Sequence, residues 1–226
     1  MAKSTESIDD YLKAILELAG GDAGRATSNA IAGRLEVSAA SVTGMLRKLA
    51  TRRPALIDYK KHHGARLTKE GRQRAMSVIR RHRLMELFLC EVLGFSWDEV
   101  HEEAERLEHV MSEKLEGRIA EKLGHPEFDP HGQVIPRSDG TVAGVKTVRL
   151  DELSPGDTAV ISSVSDREPE VLRDLARLGL MPGRFLKVAD QADLEGSIKL
   201  RLDVKKRRRN LSLSRNLARS VLVERS

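Results

Sequence analysis

Glu105, Glu108 and His109 read E-x-x-E-H. Side chains three and four apart on a helix share a face, so these three can converge within one turn. Two carboxylates and an imidazole are donors that divalent metals take. Val100, Ala104, Leu107, Met111, Leu115 and Ile119 form an apolar stripe at about 100° per residue, and Glu108 falls inside it. His101 and Glu105 flank that stripe, with His109 a little further round. A carboxylate on an apolar stripe is costly unless it is paired or metal-bound. His82 and Glu86 stand at i and i+4 on the preceding helical stretch. Two neighbouring helices that each carry a His/carboxylate pair can build a metal site between them. Any one such pair, taken alone, reads first as a solvated surface pair. Glu108 on the core stripe, together with both pairs, favours metal. Asp10 keeps two readings: Ser7-Ile8-Asp9-Asp10 has the spacing of a capping box, and Asp10 could instead be a ligand tying a first helix to the Glu105 cluster.

The elements that must position these residues follow from periodicity. Ser7 is a candidate N-cap, followed by Tyr11, Leu12, Ile15, Leu16 and Leu18 at helical spacing, with Gly20 and Gly21 ending the helix. A short helix carries Ile31, Ala32 and Leu35. Another starts near Ser38 and turns Val42, Met45, Leu46 and Leu49 inward. Two short helices joined by a few residues around Val37 are the helix-turn-helix signature. Leu56–Lys60 and Ala65–Thr68, around Lys61-His62-His63-Gly64, predict a hairpin with a basic tip, which makes the arrangement a winged helix. Thr68 caps a long helix to about Leu93, and one further helix is predicted from about Trp97 to Leu123. Proline and glycine then punctuate the chain from Gly124 to Gly144. Beyond them, short strands are expected at Val145–Leu150, Ala159–Val164, Phe185–Ala189, Ser197–Val204 and Ser220–Glu224, interrupted by a helix at Pro169–Leu178. The fold class is therefore a mainly α N-terminal part followed by a small β-barrel.

The helix after Ser38 leaves Ser38, Ala40, Ser41, Thr43, Gly44, Arg47 and Lys48 towards solvent. Small polar residues let a helix approach base edges in the major groove. Arg47, Lys48, Arg52, Arg53, Lys60 and Lys61 suit phosphates, which supply affinity without sequence information. The bland alternative is a solvated basic face.

The whole-chain numbers agree with an anionic partner. The 226 residues carry a net charge of +5 and a pI near 9.4. Aromatics are only 3%, so the core must be aliphatic. The single cysteine, Cys90, cannot form an intrachain disulfide and reads as a buried core thiol. A reducing cytoplasm is the expected compartment. No stretch approaches the roughly 20 apolar residues of a membrane span, so no membrane partner is expected. Lys205-Lys206-Arg207-Arg208-Arg209 reads as a solvated basic strand or hairpin tip, with a second nucleic-acid or membrane-surface contact as its alternative.

Asp10-Tyr11-Leu12, the helix-turn-helix, Arg81-His82-Arg83-Leu84-Met85-Glu86, the block Val100 to Ser112 and D-P-H-G-x-x-I-P from Asp129 to Pro136 together resemble the diphtheria-toxin-repressor and manganese-transport-regulator family. Ser154 to Val223, with its L-G-L-M-P-G turn, is similar to the SH3-like (FeoA-like) domain appended to many members. The resemblance implies a winged-helix DNA-binding domain over 1–70 and a helical metal-binding and dimerisation domain over 71–138. A linker over 139–147 and an SH3-like domain over 148–226 complete the division. It implies a homodimer that represses transcription by binding a palindromic double-stranded operator under metal control, with no enzymatic activity and no small organic substrate. By the same resemblance, the primary metal site maps to Asp10, Glu105, Glu108 and His109, and a second to His82, Glu86 and His101. Further ligands fall near Asp129, His131 and Asp166.

Iron-type members carry methionine where Asp10 stands and cysteine where Glu105 stands. Carboxylates at both positions make a hard, oxygen-rich set that suits Mn(2+), with Fe(2+) as the alternative. Two readings of other classes remain. A metallohydrolase would use the Glu/His cluster, but there is no phosphate-binding glycine loop and no nucleophile motif. A metal-independent DNA-binding protein would treat the His and carboxylate residues as incidental.

Overall fold

The computed structural model describes residues 2–20, 24–191, 197–204 and 207–226. Helices α1 (Ala2–Leu18), α2 (Ser28–Leu35), α3 (Ala39–Ala50) and α4 (Lys69–Leu93) are accompanied by strands β1 (Ile57–Lys60) and β2 (Gly64–Leu67). Helices α5 (Val100–Leu107) and α6 (Glu113–Lys122) follow. The C-terminal part runs β3 (Val148–Arg149), β4 (Thr158–Val164), α7 (Pro169–Leu178), β5 (Phe185–Gln191), β6 (Ile198–Val204), β7 (Arg207–Leu213), α8 (Arg215–Arg219) and β8 (Val221–Arg225). The chain forms two compact units. One is residues 1–82, 106–116 and 136–142; the other is 83–105, 117–135 and 143–226.

In the first unit α1 begins at Ala2, so Ser7 and Asp10 lie inside the helix and neither caps it. The apolar spacing Ile8, Leu12, Ile15 puts one face of α1 on a core with Ile31, Val42, Leu46, Leu49 and Ile57. Each helix of the helix-turn-helix starts on a side-chain cap. Thr27 Oγ1 accepts from Ala30 N, and Ser38 Oγ accepts from Ser41 N. Glu36, in the left-handed region at φ 53°, turns the chain between them. Thr68 Oγ1 accepts from Gly71 N at the start of α4, where the sequence predicts a cap. Gly71 is required there, because a Cβ would stand 1.8 Å from the Leu56 carbonyl oxygen.

The predicted helix from Trp97 to Leu123 is broken. It becomes α5 and α6, with Glu108, His109 and Val110 on a turn between them. The break carries Leu115 off the predicted core stripe, leaving it 48% exposed, while Met111 and Ile119 remain buried. Cys90, expected in the core, is only half-buried.

In the second unit six strands form one antiparallel sheet in the order β3-β8-β4-β5-β6-β7. Irregularities at Ile161/Ser163 and Val188/Asp190 bend the strands so that the sheet curls. Its inner face buries Leu150, Ile161, Leu172, Leu175, Leu186, Leu200 and Val223. Strand β7 and helix α8 were not predicted as separate elements, because the basic run masks the alternation at Leu211 and Leu213. Lys205 and Lys206 of that run lie outside the described residues. No helix among the described residues is long and apolar enough to cross a membrane.

Candidate metal centre and nucleic-acid interface

Asp10, Glu108 and His109 come together in the first unit, each offering one donor atom within 4.8 Å of the others. His109 Nε2 lies 3.1 Å from Asp10 Oδ1 and 3.4 Å from Glu108 Oε1. The geometry follows from the turn after α5: leaving the helix there points Glu108 inward, where it is 1% exposed, and brings His109 against α1. Glu108 is held from two sides. Lys13 Nζ donates to its two oxygens at 2.8 and 3.0 Å, and His82 Nδ1 stands 2.6 Å from Oε2. Burial opposes ionisation of Glu108, yet His82 and Lys13 hold its carboxyl below the usual range. The Asp10 and Asp9 carboxylates hold the His109 imidazolium up to about 10, against its partial burial. Asp9, buried and bonded to Arg74 Nε at 2.6 Å, lies 3.8 Å from His109 Nδ1. The donor set of this group, two carboxylates and one imidazole with no sulfur, fits a hard divalent ion.

Glu105 is not part of that trio. Its side chain is half-exposed, with Oε1 3.6 Å from His101 Nε2 in the second unit. His101 Nδ1 faces Glu86 Oε1 at 3.2 Å and Asp166 Oδ2 at 3.6 Å. Glu86, fully buried on α4, turns its other oxygen towards His131 Nδ1 at 3.7 Å. Glu86, Asp129 and His131 form a second trio of potential ligands, all three buried.

The Asp129 turn is built to present this trio. Asp129 Oδ1 accepts from the backbone of His131 at 2.8 Å and of Gln133 at 2.9 Å. That leaves Oδ2, with Arg83 Nε at 3.6 Å. Gly132, at φ 80°, lets the turn sit against β4: a Cβ there would stand 2.1 Å from the Ser162 carbonyl oxygen. His131 Nε2 donates to the Trp97 carbonyl at 2.7 Å, so a neutral ring keeps its lone pair on Nδ1. Among the described residues, His131 Nδ1 and Asp129 Oδ2 are buried without a hydrogen bond. Buried atoms left so are uncommon, and an absent ion is one reason for them. Burial and the Glu86 carboxylate push Asp129 up to about 7, against the pull of His131 and Arg83. Burial works against the His131 imidazolium, but Glu86 and Asp129 raise it to about 9.

On the nucleic-acid side, Ser38, Ala40, Ser41, Gly44, Arg47 and Lys48 are exposed, and Thr43 is half-buried. Thr43 Oγ1 donates to Ala39 O at 2.9 Å, and Ser38 Oγ serves as the cap of α3. Lys60 and Lys61 are exposed at the tip of the β1–β2 hairpin, whose register pairs Ile57 with Leu67 and Lys60 with Gly64. Arg25 anchors that hairpin. Its guanidinium donates to the carbonyls of Asp58 and Gly64 at 3.1 Å, and to Asp58 Oδ2 at 2.5 Å.

Residues 3–65 match the family model described as the iron dependent repressor N-terminal DNA binding domain. Residues 68–137 match the iron dependent repressor metal binding and dimerisation domain, and residues 148–225 the FeoA domain. The iron-dependent repressor IdeR of Mycobacterium leprae is 32% identical over 206 residues, 86% of each chain. The chain belongs to the diphtheria-toxin-repressor family of metal-dependent transcriptional repressors. The diphtheria toxin repressor of Corynebacterium diphtheriae is 27% identical over 99% of both chains. Among solved structures of the family, a manganese-dependent transcriptional repressor in complex with manganese superposes with a TM-score of 0.88 at 36% identity, over 97% of this chain and 100% of that one. The IdeR of T. acidophilum superposes at 0.75 with 30% identity, over 96% and 97%. These relatives are repressors, in line with the reading of a protein that is not an enzyme.

Asp9, Lys13, Arg25 and the Trp97 carbonyl were not singled out in the sequence. Lys13 lies at i+3 from Asp10 on one helix, a spacing that could have found it. Nothing local marks Arg25 or Trp97.

Proposed function

We propose that the protein is a manganese-responsive repressor that binds a palindromic operator as a homodimer and controls metal-homeostasis genes. The observation that carries this reading is the sulfur-free trio Asp10, Glu108 and His109, linking α1 to the turn after α5. These residues, with Glu105 as the fourth ligand proposed from sequence, would hold the ion as a cross-link to the helix that leads into the helix-turn-helix. In the same reading, Glu86, His101 and Asp166, and Glu86, Asp129 and His131, serve further metal binding. His82, one turn before Glu86 on α4, is assigned there from sequence. The exposed face of α3 reads bases, while Arg47, Lys48, Lys60 and Lys61 hold phosphates. Exposed Val92, Leu93 and Phe95 at the end of α4 support a dimer contact.

Iron is the second reading, favoured by the names of the curated relatives. Operator affinity titrated with manganese and, anaerobically, with ferrous iron separates the two, with chelator as control. Glu108→Ala and His109→Ala are expected to abolish metal-dependent binding and leave the dimer. Asp10→Met with Glu105→Cys should move the response from manganese towards iron, since it exchanges hard oxygen for soft sulfur. An unchanged manganese response in that double variant overturns the assignment of the primary site.

A further inference from the structure

Lys13 is a cation seated on the carboxylate of Glu108, one of the three residues read as metal ligands. It projects from α1 one turn after Asp10, its side chain 13% exposed against 1% for Glu108. Its ammonium takes both oxygens of that carboxylate, at 2.8 and 3.0 Å. A charge-assisted contact to both oxygens of a buried carboxylate is strong, because the carboxylate has almost no exposure to solvent. Among the described residues, the other groups facing it include Asp9 and Asp10 on α1, Arg74, His82 and Arg81 on α4, the last donating to the Glu108 carbonyl at 3.3 Å, and His109. A divalent ion drawing on Glu108 would meet a unit positive charge already seated on its ligand, and at this spacing the repulsion is substantial in a partly desolvated site.

We propose that Lys13 is the resident counter-ion of this site and sets its metal affinity: the ion gains Glu108 only by displacing the ammonium. The proposal builds on the reading of Asp10, Glu108 and His109 as metal ligands. Lys13 ties the turn after α5 to α1 while no metal is bound. The same contact makes the binding-competent arrangement a minor one, which raises the apparent dissociation constant by the inverse of its population. Because Lys13 and Asp10 share α1, loading the site exchanges one tether of that helix for another. The cell's free-metal level at which the exchange occurs is therefore tuned by an amine that is not itself a ligand.

Manganese(II) binding to the full-length protein, followed directly by calorimetry or by the electron paramagnetic resonance of free manganese, tests this without DNA. The thermal midpoint of the metal-free protein is measured alongside. Lys13→Gln should bind manganese roughly tenfold more tightly, the change that corresponds to 1.4 kcal/mol, while its metal-free midpoint falls. Lys13→Arg keeps the charge and the carboxylate contact, so its affinity should match the parent's. Should the Gln variant fail to fold, Lys13→Met removes the same charge at similar length and carries the same expectation. Affinity in Lys13→Gln or Lys13→Met that is unchanged or weaker, while Glu108→Gln loses manganese, overturns the role of Lys13 and leaves the site standing. Unchanged affinity in Glu108→Gln removes the site itself and this role with it.

Discussion

His109 is the residue whose protonation most directly opposes metal. Asp10 and Asp9 hold its imidazolium up to about 10 in the folded chain, well above the value of about 6.5 typical of an unfolded histidine. A raised folded value means that the charged ring stabilises the metal-free protein. That contribution is complete below pH about 6.5 and is lost as the pH climbs towards the folded value. The thermal midpoint of the chelated protein should therefore decline from neutral to alkaline pH more steeply than that of His109→Gln. Parallel profiles would show that the pairing with Asp9 and Asp10 adds nothing. An ion bound at the same ring must also expel its proton, so manganese binding near pH 7 should release protons, a quantity that calorimetry in buffers of different ionisation enthalpy reads out.

Elements, rather than single ligands, decide whether the buried trio in the second unit exists. Glu86 is fixed by α4, but Asp129 and His131 depend on a turn that closes only because Gly132 has no side chain. A methyl group there would meet the Ser162 carbonyl oxygen at 2.1 Å, in a backbone region that alanine disfavours. Gly132→Ala should cost about 1–3 kcal/mol or more, and it should separate His131 from Glu86. The expected signature is a lower thermal midpoint together with loss of any metal bound at Glu86, Asp129 and His131, while manganese binding at Asp10, Glu108 and His109 persists. A variant with the parent's midpoint would show that the turn has room to relax. The wing shows the same logic, since Arg25 ties the Asp58 and Gly64 carbonyls and so carries Lys60 and Lys61.

At the scale of the whole molecule, the net charge of +5 and the exposed cations of α3 and the hairpin predict a steep loss of DNA affinity with salt. Arg47→Ala and Lys60→Ala should each weaken binding to specific and random DNA alike and reduce the salt slope by about one. Ser41→Ala should act more on sequence preference, because Ser41 is exposed on the face read as base-contacting. Thr43 is a weaker test, since its hydroxyl is already bonded to Ala39 O. Equal losses on both kinds of DNA for Ser41→Ala would count against α3 as the reader. The measurement is binding to operator and scrambled duplexes over a salt series.

Much of this was legible in the residues alone. Helical spacing marked Glu108 as buried, which it is, though on the turn after α5; caps at Ser38 and Thr68 started helices where expected, because such signals act within one or two turns of chain. The helix-turn-helix, its hairpin and α7 were readable for the same reason. Local signals did not mark the break between α5 and α6, since the apolar stripe continues through Met111 to Ile119 and nothing like proline interrupts it. Only packing carried Leu115 outward and directed His82 to Glu108. The same holds for Lys13 on Glu108, 95 residues away along the chain, and for His131 on the Trp97 carbonyl. Periodicity tells which face of an element is apolar. Which charge meets which across two elements is fixed by their docking, because electrostatic partners are chosen by distance in space and leave no period in the sequence.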